Sequence, residues 1–227
     1  MGSEAFGGFV RAVREVDTLQ NADPTPRGTA PIDPAAARVV GRASVVLLSS
    51  HFERYIYAVN AEATRAVNTG GATGTALPEA LRLLHSGVSV DDMLKTDWEH
   101  RGEKLVAFMR SDAWLWDSHP SGELDHERLV LWMKAPTPRN LVRYYRYWEI
   151  TNIFEAVTRA SHTRTELWLG LDALVRKRNN IAHGDATTEA THGDVRTYRD
   201  AALRFCERAD KQLSRAVARI IGAARPW

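Results

Sequence analysis

The chain has 227 residues, 44% hydrophobic and 26% charged, which is enough apolar material for a core in one large domain or two small ones. Its 30 basic and 28 acidic side chains sum to +2, which excludes histone-like binding of nucleic acid by bulk charge. The longest apolar run, Ala43 to Ser49, is too short to cross a bilayer. Met1 to Phe6 shows no basic segment leading into an apolar one. The single cysteine, Cys206, excludes an internal disulfide or a multi-cysteine zinc site. A cytoplasmic, non-membrane protein is expected.

Helix signals dominate from the N-terminus onward. Phe9, Val10, Val13, Val16 and Leu19 recur at helical spacing, so residues 4–20 read as a short amphipathic helix. A loop rich in Pro, Thr and Gly is expected from Asn21 to Pro31. Asp33-Pro34 then supplies an N-cap followed by proline at the first helical position. From there to about Thr64 only Gly41 interrupts a long, mostly apolar helix. Asn68 to Thr75 is glycine-rich, but no Gly-Lys-Ser/Thr follows and no strand precedes it, so it reads as a connection rather than a phosphate cradle.

Shorter helices are expected over Leu77 to His85 and Asp97 to Arg110, and Ser111 to Pro138 reads as irregular. Trp114, Trp116 and Trp132 make that stretch a packed insertion rather than a disordered one. Further helices are expected over Asn140 to Arg159, Thr165 to His183 and Gly193 to Ala223. Alternating β-branched runs are nearly absent. The expected architecture is all-α: an antiparallel helical bundle with peripheral helices and a loop-rich insertion. It divides into an N-terminal helix and loop (1–32), a first long helix (33–66), an elaboration (67–138) and the remaining bundle helices (139–227).

Two charged residues interrupt apolar stripes. Leu167, Leu171, Leu174, Arg178 and Ile181 step by 4, 3, 4 and 3, which places Arg178 on a core-facing stripe. A buried guanidinium needs a carboxylate, a phosphate or a wet cleft. Val39, Ala43, Val46, Ser50, Glu53 and Tyr57 step in the same manner and put Glu53 on the facing stripe of the early helix. A partly buried Glu53–Arg178 pair is one reading; the other leaves each residue at a stripe's edge, reaching out to solvent.

The segment Arg176-Lys177-Arg178-Asn179-Asn180-Ile181-Ala182-His183-Gly184-Asp185 carries more detail. Asn179 and His183 are i and i+4, so they share a face, and an Asn one turn earlier can orient the ring. Gly184 is placed to end the helix, with His183 in its last turn, where the helix dipole favours a cation. Arg178 and His183 are about 140° apart around the axis, so one helix cannot aim both at one small target. Two copies facing each other would line a groove with two arginines and two histidines. A surface helix end with incidental basic residues is the alternative.

Arg178-Asn179-Asn180-Ile181-Ala182-His183 resembles the Arg-x4–6-His motif of the HEPN superfamily, in which a polar residue commonly follows the arginine. Ser50-His51-Phe52-Glu53-Arg54-Tyr55, Leu77 to Ser86 and Asn152-Ile153-Phe154 resemble the MAE-like HEPN proteins of bacterial conflict systems. The resemblance spans residues 35–220, and its diagnostic element is the Arg-x4-His motif. It implies a HEPN-like bundle and a homodimeric, metal-independent endoribonuclease of toxin–antitoxin or phage-defence systems. The implied products are a 2′,3′-cyclic phosphate and a 5′-hydroxyl.

On that basis His183 would handle the proton of the attacking 2′-hydroxyl or of the leaving 5′-oxygen. Arg178 would stabilise charge on the scissile phosphate. Asn179 would orient His183, and Glu53 would hold or tune Arg178. Arg176, Lys177, Arg143 and Arg146 are assigned to RNA contact, and an antitoxin or operon partner is implied. No cofactor or metal enters. The alternative is a non-catalytic HEPN module that binds a nucleotide or a partner protein. Some toxin members place tyrosine two residues after the histidine as a modification acceptor; Asp185 stands there, which puts that mode of control in question.

The other histidines, His51, His85, His100, His119, His126, His162 and His192, are scattered without metal-ligand spacing. Cys206 beside Phe205 reads as a buried structural thiol. Arg139 to Trp148 interleaves arginines with rings, a composition that suits single-stranded RNA, although half of the rings must face the core.

Overall fold

The computed structural model describes residues 2–21, 34–119 and 122–227. Among them are eight α-helices and no strand: α1 (Glu4–Asn21), α2 (Pro34–Thr69), α3 (Glu79–Lys95), α4 (Arg101–Asp112), α5 (Pro138–Tyr147), α6 (Ile153–Val157), α7 (Ser161–Ala182) and α8 (His192–Ile221). The expected Asp33 cap and all but the first residue of the expected Asn21–Pro31 loop lie outside the described residues.

α1 buries Phe9, Val13 and Val16, the face its spacing predicts. It runs antiparallel to α2: Ala5 N–H donates to Glu62 near one end, and Gln20 Nε2 donates to Ser44 Oγ (2.7 Å) near the other. α7 and α8 are also antiparallel, with Lys177 against Asp194 and Gly170 against Ala201. α2 and α8 run side by side in the same direction: Phe52 meets Phe205, and Gly70 lies against Ile221. The core is built where these helices meet, around Leu48, Phe52, Ile56, Leu171, Leu174, Phe205 and Leu213, all fully buried. Each such side chain contributes about 1.5–3 kcal/mol of transfer free energy. Among the described residues, no helix is long and apolar enough to cross a membrane.

Four expectations need correction. The stripe Val39, Ala43, Val46, Ser50, Glu53, Tyr57 does not face the core; Val39 is 66% exposed. The buried stripe of α2 is Val45, Leu48, Phe52, Ile56, Val59 and Ala63, about one residue around the helix. Because α2 packs against α1, α7 and α8, apolar residues occupy most of its circumference, and two stripes fit the same spacing. The expected helix Asn140–Arg159 is two helices. Trp148 buries at the end of α5, Glu149 takes a left-handed φ of 59°, and Asn152 caps α6 by accepting from Phe154 N–H. α3 runs ten residues past the expected end at His85, to Lys95. Finally, α4 begins at Arg101, because residues 98–100 form a tighter 3₁₀ turn.

The insertion does pack, as its aromatic content predicts. Trp114, Leu115, Leu124, Leu129 and Met133 are buried, while Trp116 is 46% exposed. Its anchor is polar: Asp112, buried, accepts from Ser89 Oγ (2.7 Å) and from Arg128 Nη1 (2.9 Å). His85 Nδ1 stands 3.4 Å from the same carboxylate, and His85 Nε2 accepts from Asp125 N–H at 2.9 Å.

A candidate nucleic-acid site at the end of α7

Helix α7 ends as its sequence predicts. His183 is the C-cap, and Gly184 takes φ +84°, a conformation that costs a residue with a Cβ. Gly184 N–H donates to Ile181 C=O (3.1 Å) and Asp185 N–H to Asn180 C=O (3.0 Å), the paired closure of a Schellman motif. The imidazole of His183 is exposed and, among the described residues, has no hydrogen-bond or ion-pair partner.

Arg178 sits one turn earlier and half-buried. Its Nη2 lies 4.0 Å from Glu53 Oε2, and the two side chains are 35% and 26% exposed. The pairing of Glu53 with Arg178 therefore exists at the rim of the core. Its second contact differs from the expectation: Arg178 Nη1 donates to Asn179 Oδ1 at 3.1 Å. Among the described residues no side-chain hydrogen bond joins Asn179 to the His183 ring; the link is between backbones, His183 N–H to Asn179 C=O (2.9 Å). Two neighbours on one helix bring their side chains together here because the guanidinium folds back along the surface to reach the amide. Asn179 thus holds the arginine, not the histidine.

Glu53 also faces the Tyr57 hydroxyl at 3.5 Å, while that hydroxyl donates to Met133 C=O at 3.0 Å. Partial burial and the Glu53 charge push the phenol above its ordinary pKa. This contact ties the site to the insertion. At the residue before Met133, the Trp132 ring carries the Arg143 guanidinium of α5 stacked on it (4.3 Å), and Arg143 Nε donates to Tyr147 Oη (2.8 Å).

The residues assigned to RNA contact separate into different environments. Arg176 and Arg146 are exposed. Lys177 is engaged: Nζ lies 2.9 Å from Asp194 Oδ2 and over the Tyr198 ring; burial works to lower its pKa, but the hydrogen bond to Asp194 and the nearby Tyr198 outweigh this and raise it. Arg143 lines a groove of about 780 Å³ between α3 and the insertion, with Arg128, Trp132 and Tyr147. In the segment that carries it, Tyr144, Tyr145 and Trp148 are buried, which leaves Tyr147 and Trp132 as the accessible rings.

Sequence reasoning missed what holds the loop after His183. Arg42 Nη1 donates to Asp185 C=O (2.7 Å) and Thr188 C=O (2.9 Å). Beside it, a Cβ at Gly41 would stand 2.0 Å from Ala190 C=O, so only glycine permits this approach of helix to loop. The signal was present: Gly41 is the one glycine in the interior of α2, where glycine weakens a helix. Asp185 contributes from within the loop, accepting from Thr187 N–H and from the Thr187 and Thr188 hydroxyls, which lowers its carboxyl pKa to about 2.

No curated protein and no solved structure matches the chain. Residues 140–215, about a third of the chain and including Arg178 and His183, match the family model described as RiboL-PSP-HEPN. α2, with Glu53 and Arg42, lies outside the match. The helical bundle and this match together support the HEPN superfamily for the part of the chain that carries the arginine and the histidine.

Proposed function

We propose that the protein is a metal-independent endoribonuclease of the MAE-like HEPN kind, acting in a toxin–antitoxin or phage-defence setting. The observation that carries this reading is the end of α7, inside the segment that matches a HEPN family: an exposed imidazole at the C-cap, without a partner among the described residues, and a guanidinium one turn back, braced by Asn179 and by Glu53 of α2. An RNA strand brings its own nucleophile, the ribose 2′-hydroxyl, so the protein has to move protons and stabilise charge.

In the proposed reaction the 2′-oxygen attacks phosphorus, the new P–O2′ bond forms and the P–O5′ bond breaks. One proton leaves the 2′-hydroxyl and one reaches the 5′-oxygen, giving a 2′,3′-cyclic phosphate and a 5′-hydroxyl. His183 handles one of these protons, and Arg178 presents its forked donors to the phosphate oxygens. Because the two side chains leave α7 about 140° apart, the reading includes a homodimer whose composite site draws on both copies. Arg176 stands two turns before His183 on the same face of α7, exposed and, among the described residues, without a side-chain partner, where it can meet the strand.

The test is RNA cleavage by the purified protein in the presence of a chelator, comparing wild type with His183→Ala and Arg178→Ala. Both variants should fold, as judged by circular dichroism, and neither should cut. Products of the wild type should carry 5′-hydroxyl ends that accept a phosphate from polynucleotide kinase. Persistent cleavage by both variants would overturn the assignment. Absence of cleavage by the wild type would favour a non-catalytic module that binds a nucleotide or a partner protein. Growth arrest on expression of wild type, but not of His183→Ala, is the expected sign of the toxin role.

A further inference from the structure

A second cationic feature lies away from α7. Helices α1 and α2 leave a groove of about 490 Å³ between them, lined by Arg11 from α1 and by Arg54 and Arg65 from α2. All three side chains are exposed, and among the described residues none of the three guanidiniums forms an ion pair or a hydrogen bond. Arg38, Arg42, Arg128, Arg178 and Arg199 are each engaged within the fold, whereas Arg14, Arg146 and Arg176 are, among the described residues, likewise exposed and unpaired; what distinguishes Arg11, Arg54 and Arg65 is that all three line one groove. Glu4 and Glu62 share the groove; the Glu62 carboxylate accepts from Glu4 and Ala5 N–H, so it serves the first turn of α1, and Glu4 is exposed at the groove's end, leaving three guanidiniums against two carboxylates.

The floor of the groove carries two further signs. His51 is 5% exposed and lines it; Nε2 stands 3.1 Å from Glu15 Oε2 without hydrogen-bond alignment, and Nδ1 has no partner among the described residues. Gly7 and Gly8 sit in the interior of α1, where glycine weakens a helix. Neither is demanded by packing: a Cβ at Gly7 or Gly8 would meet only the Arg11 guanidinium, at 3.5 and 3.9 Å. The two glycines leave room for Arg11 to lie back along its own helix at the groove's edge.

We propose that this groove binds the phosphodiester backbone of single-stranded RNA, with Arg11, Arg54 and Arg65 as the phosphate contacts. The proposal deepens the nuclease reading and rests on it for the choice of ligand. Arginine is suited to the task because its planar fork meets two phosphate oxygens at once. Arg54 follows Glu53 directly, so the groove opens on one flank of α2 at the level where another flank meets Arg178. A strand cut at the end of α7 would be held on both sides of the same helix.

The test measures binding of a labelled single-stranded oligouridylate by anisotropy, in a chelator, with His183→Ala as the parent so that no cleavage intervenes. Adding R11Q, R54Q and R65Q together should weaken binding roughly tenfold or more and make the salt slope of log K shallower by about 2, as for three lost phosphate contacts on a single strand. Gly8→Glu should also weaken binding, by placing a carboxylate in the groove at a helix-favouring position. Circular dichroism and the thermal midpoint check that both remain folded. Parental affinity and slope in both variants would overturn the groove. Groove-dependent binding by a protein whose wild type cuts no RNA would support the groove and overturn the nuclease reading.

Discussion

Glu53 of α2 and Arg178 of α7 meet at 4.0 Å between Oε2 and Nη2, with about a third of the arginine open to solvent. A pair so placed keeps the guanidinium positioned without removing it from reach of a ligand. Its contribution to stability is small, because exposed pairs at this separation are screened and flexible. Glu53→Gln should shift unfolding in urea by about 0.5 kcal/mol. RNA cleavage should fall below wild type while remaining above that of Arg178→Ala, since the arginine stays and only its brace is lost. Cleavage equal to wild type would remove Glu53 from the site.

The loop after His183 depends on Gly41 and Arg42. Gly41→Ala forces a Cβ to within 2.0 Å of Ala190 C=O, and overpacking of this kind costs about 1–3 kcal/mol. Arg42→Ala removes two charge-assisted bonds to Asp185 and Thr188 carbonyls. Amide hydrogen exchange over residues 185–190 should accelerate in both variants, while exchange in the core of α8 should change little.

His85 makes the insertion sensitive to acid. Burial pushes its imidazole below the ordinary value, against the opposing pull of Asp112, while Arg128 also lowers it and Asp125 raises it. The folded protein therefore binds this proton less readily than the unfolded chain does. The stabilisation is complete above roughly pH 6.5 and is lost as pH falls below it. Protonation also removes the lone pair that accepts Asp125 N–H. The thermal midpoint followed from about pH 8 down to about pH 5 should fall more steeply for wild type than for His85→Gln. Parallel curves would sink the idea.

Asp112 is the buried acceptor of that network, at 1% exposure beside Arg128 at 24%. Asp112→Ala would remove the carboxylate that accepts from the Arg128 guanidinium and the Ser89 hydroxyl, and should cost about 3 kcal/mol. Urea unfolding measures it directly; a change under about 1 kcal/mol would show that water replaces the carboxylate.

Cys206 is fully buried, and burial pushes its thiol well above the ordinary range. A thiol held neutral and out of contact with solvent should not react with a disulfide reagent in the native protein. One equivalent should react on unfolding. Fast labelling of the native state would contradict the packing of α8 against α2.

Several of these features were legible in the chain. The buried face of α1, the end of α7 at Gly184 and the likeness of Arg178 to His183 to a HEPN motif follow from local spacing, which a helix converts directly into direction. The face of α2 that meets the core does not follow in this way. Val45, Leu48 and Phe52 compete with Val39, Ala43 and Val46 for the same period, and which set is buried depends on where α1, α7 and α8 lie. The break at Glu149 was hidden because Trp148, at that helix end, is as apolar as any residue that would continue the helix.

The near-neutral charge stands as the sequence states it, and indiscriminate charge-driven binding is excluded by that sum alone. The helical class and the placing of an arginine and a histidine at one helix end are likewise set by sequence, because both arise from contacts a few residues apart. Which cations remain free was decided by tertiary structure. Lys177 is taken up by Asp194 and Arg42 by the loop after His183, while Arg11, Arg54 and Arg65 are left to line one groove. The physical reason is that a charge is neutralised by whatever the fold carries to within a few ångströms of it, and those partners lie 17 residues along the chain for Lys177 and 143 for Arg42.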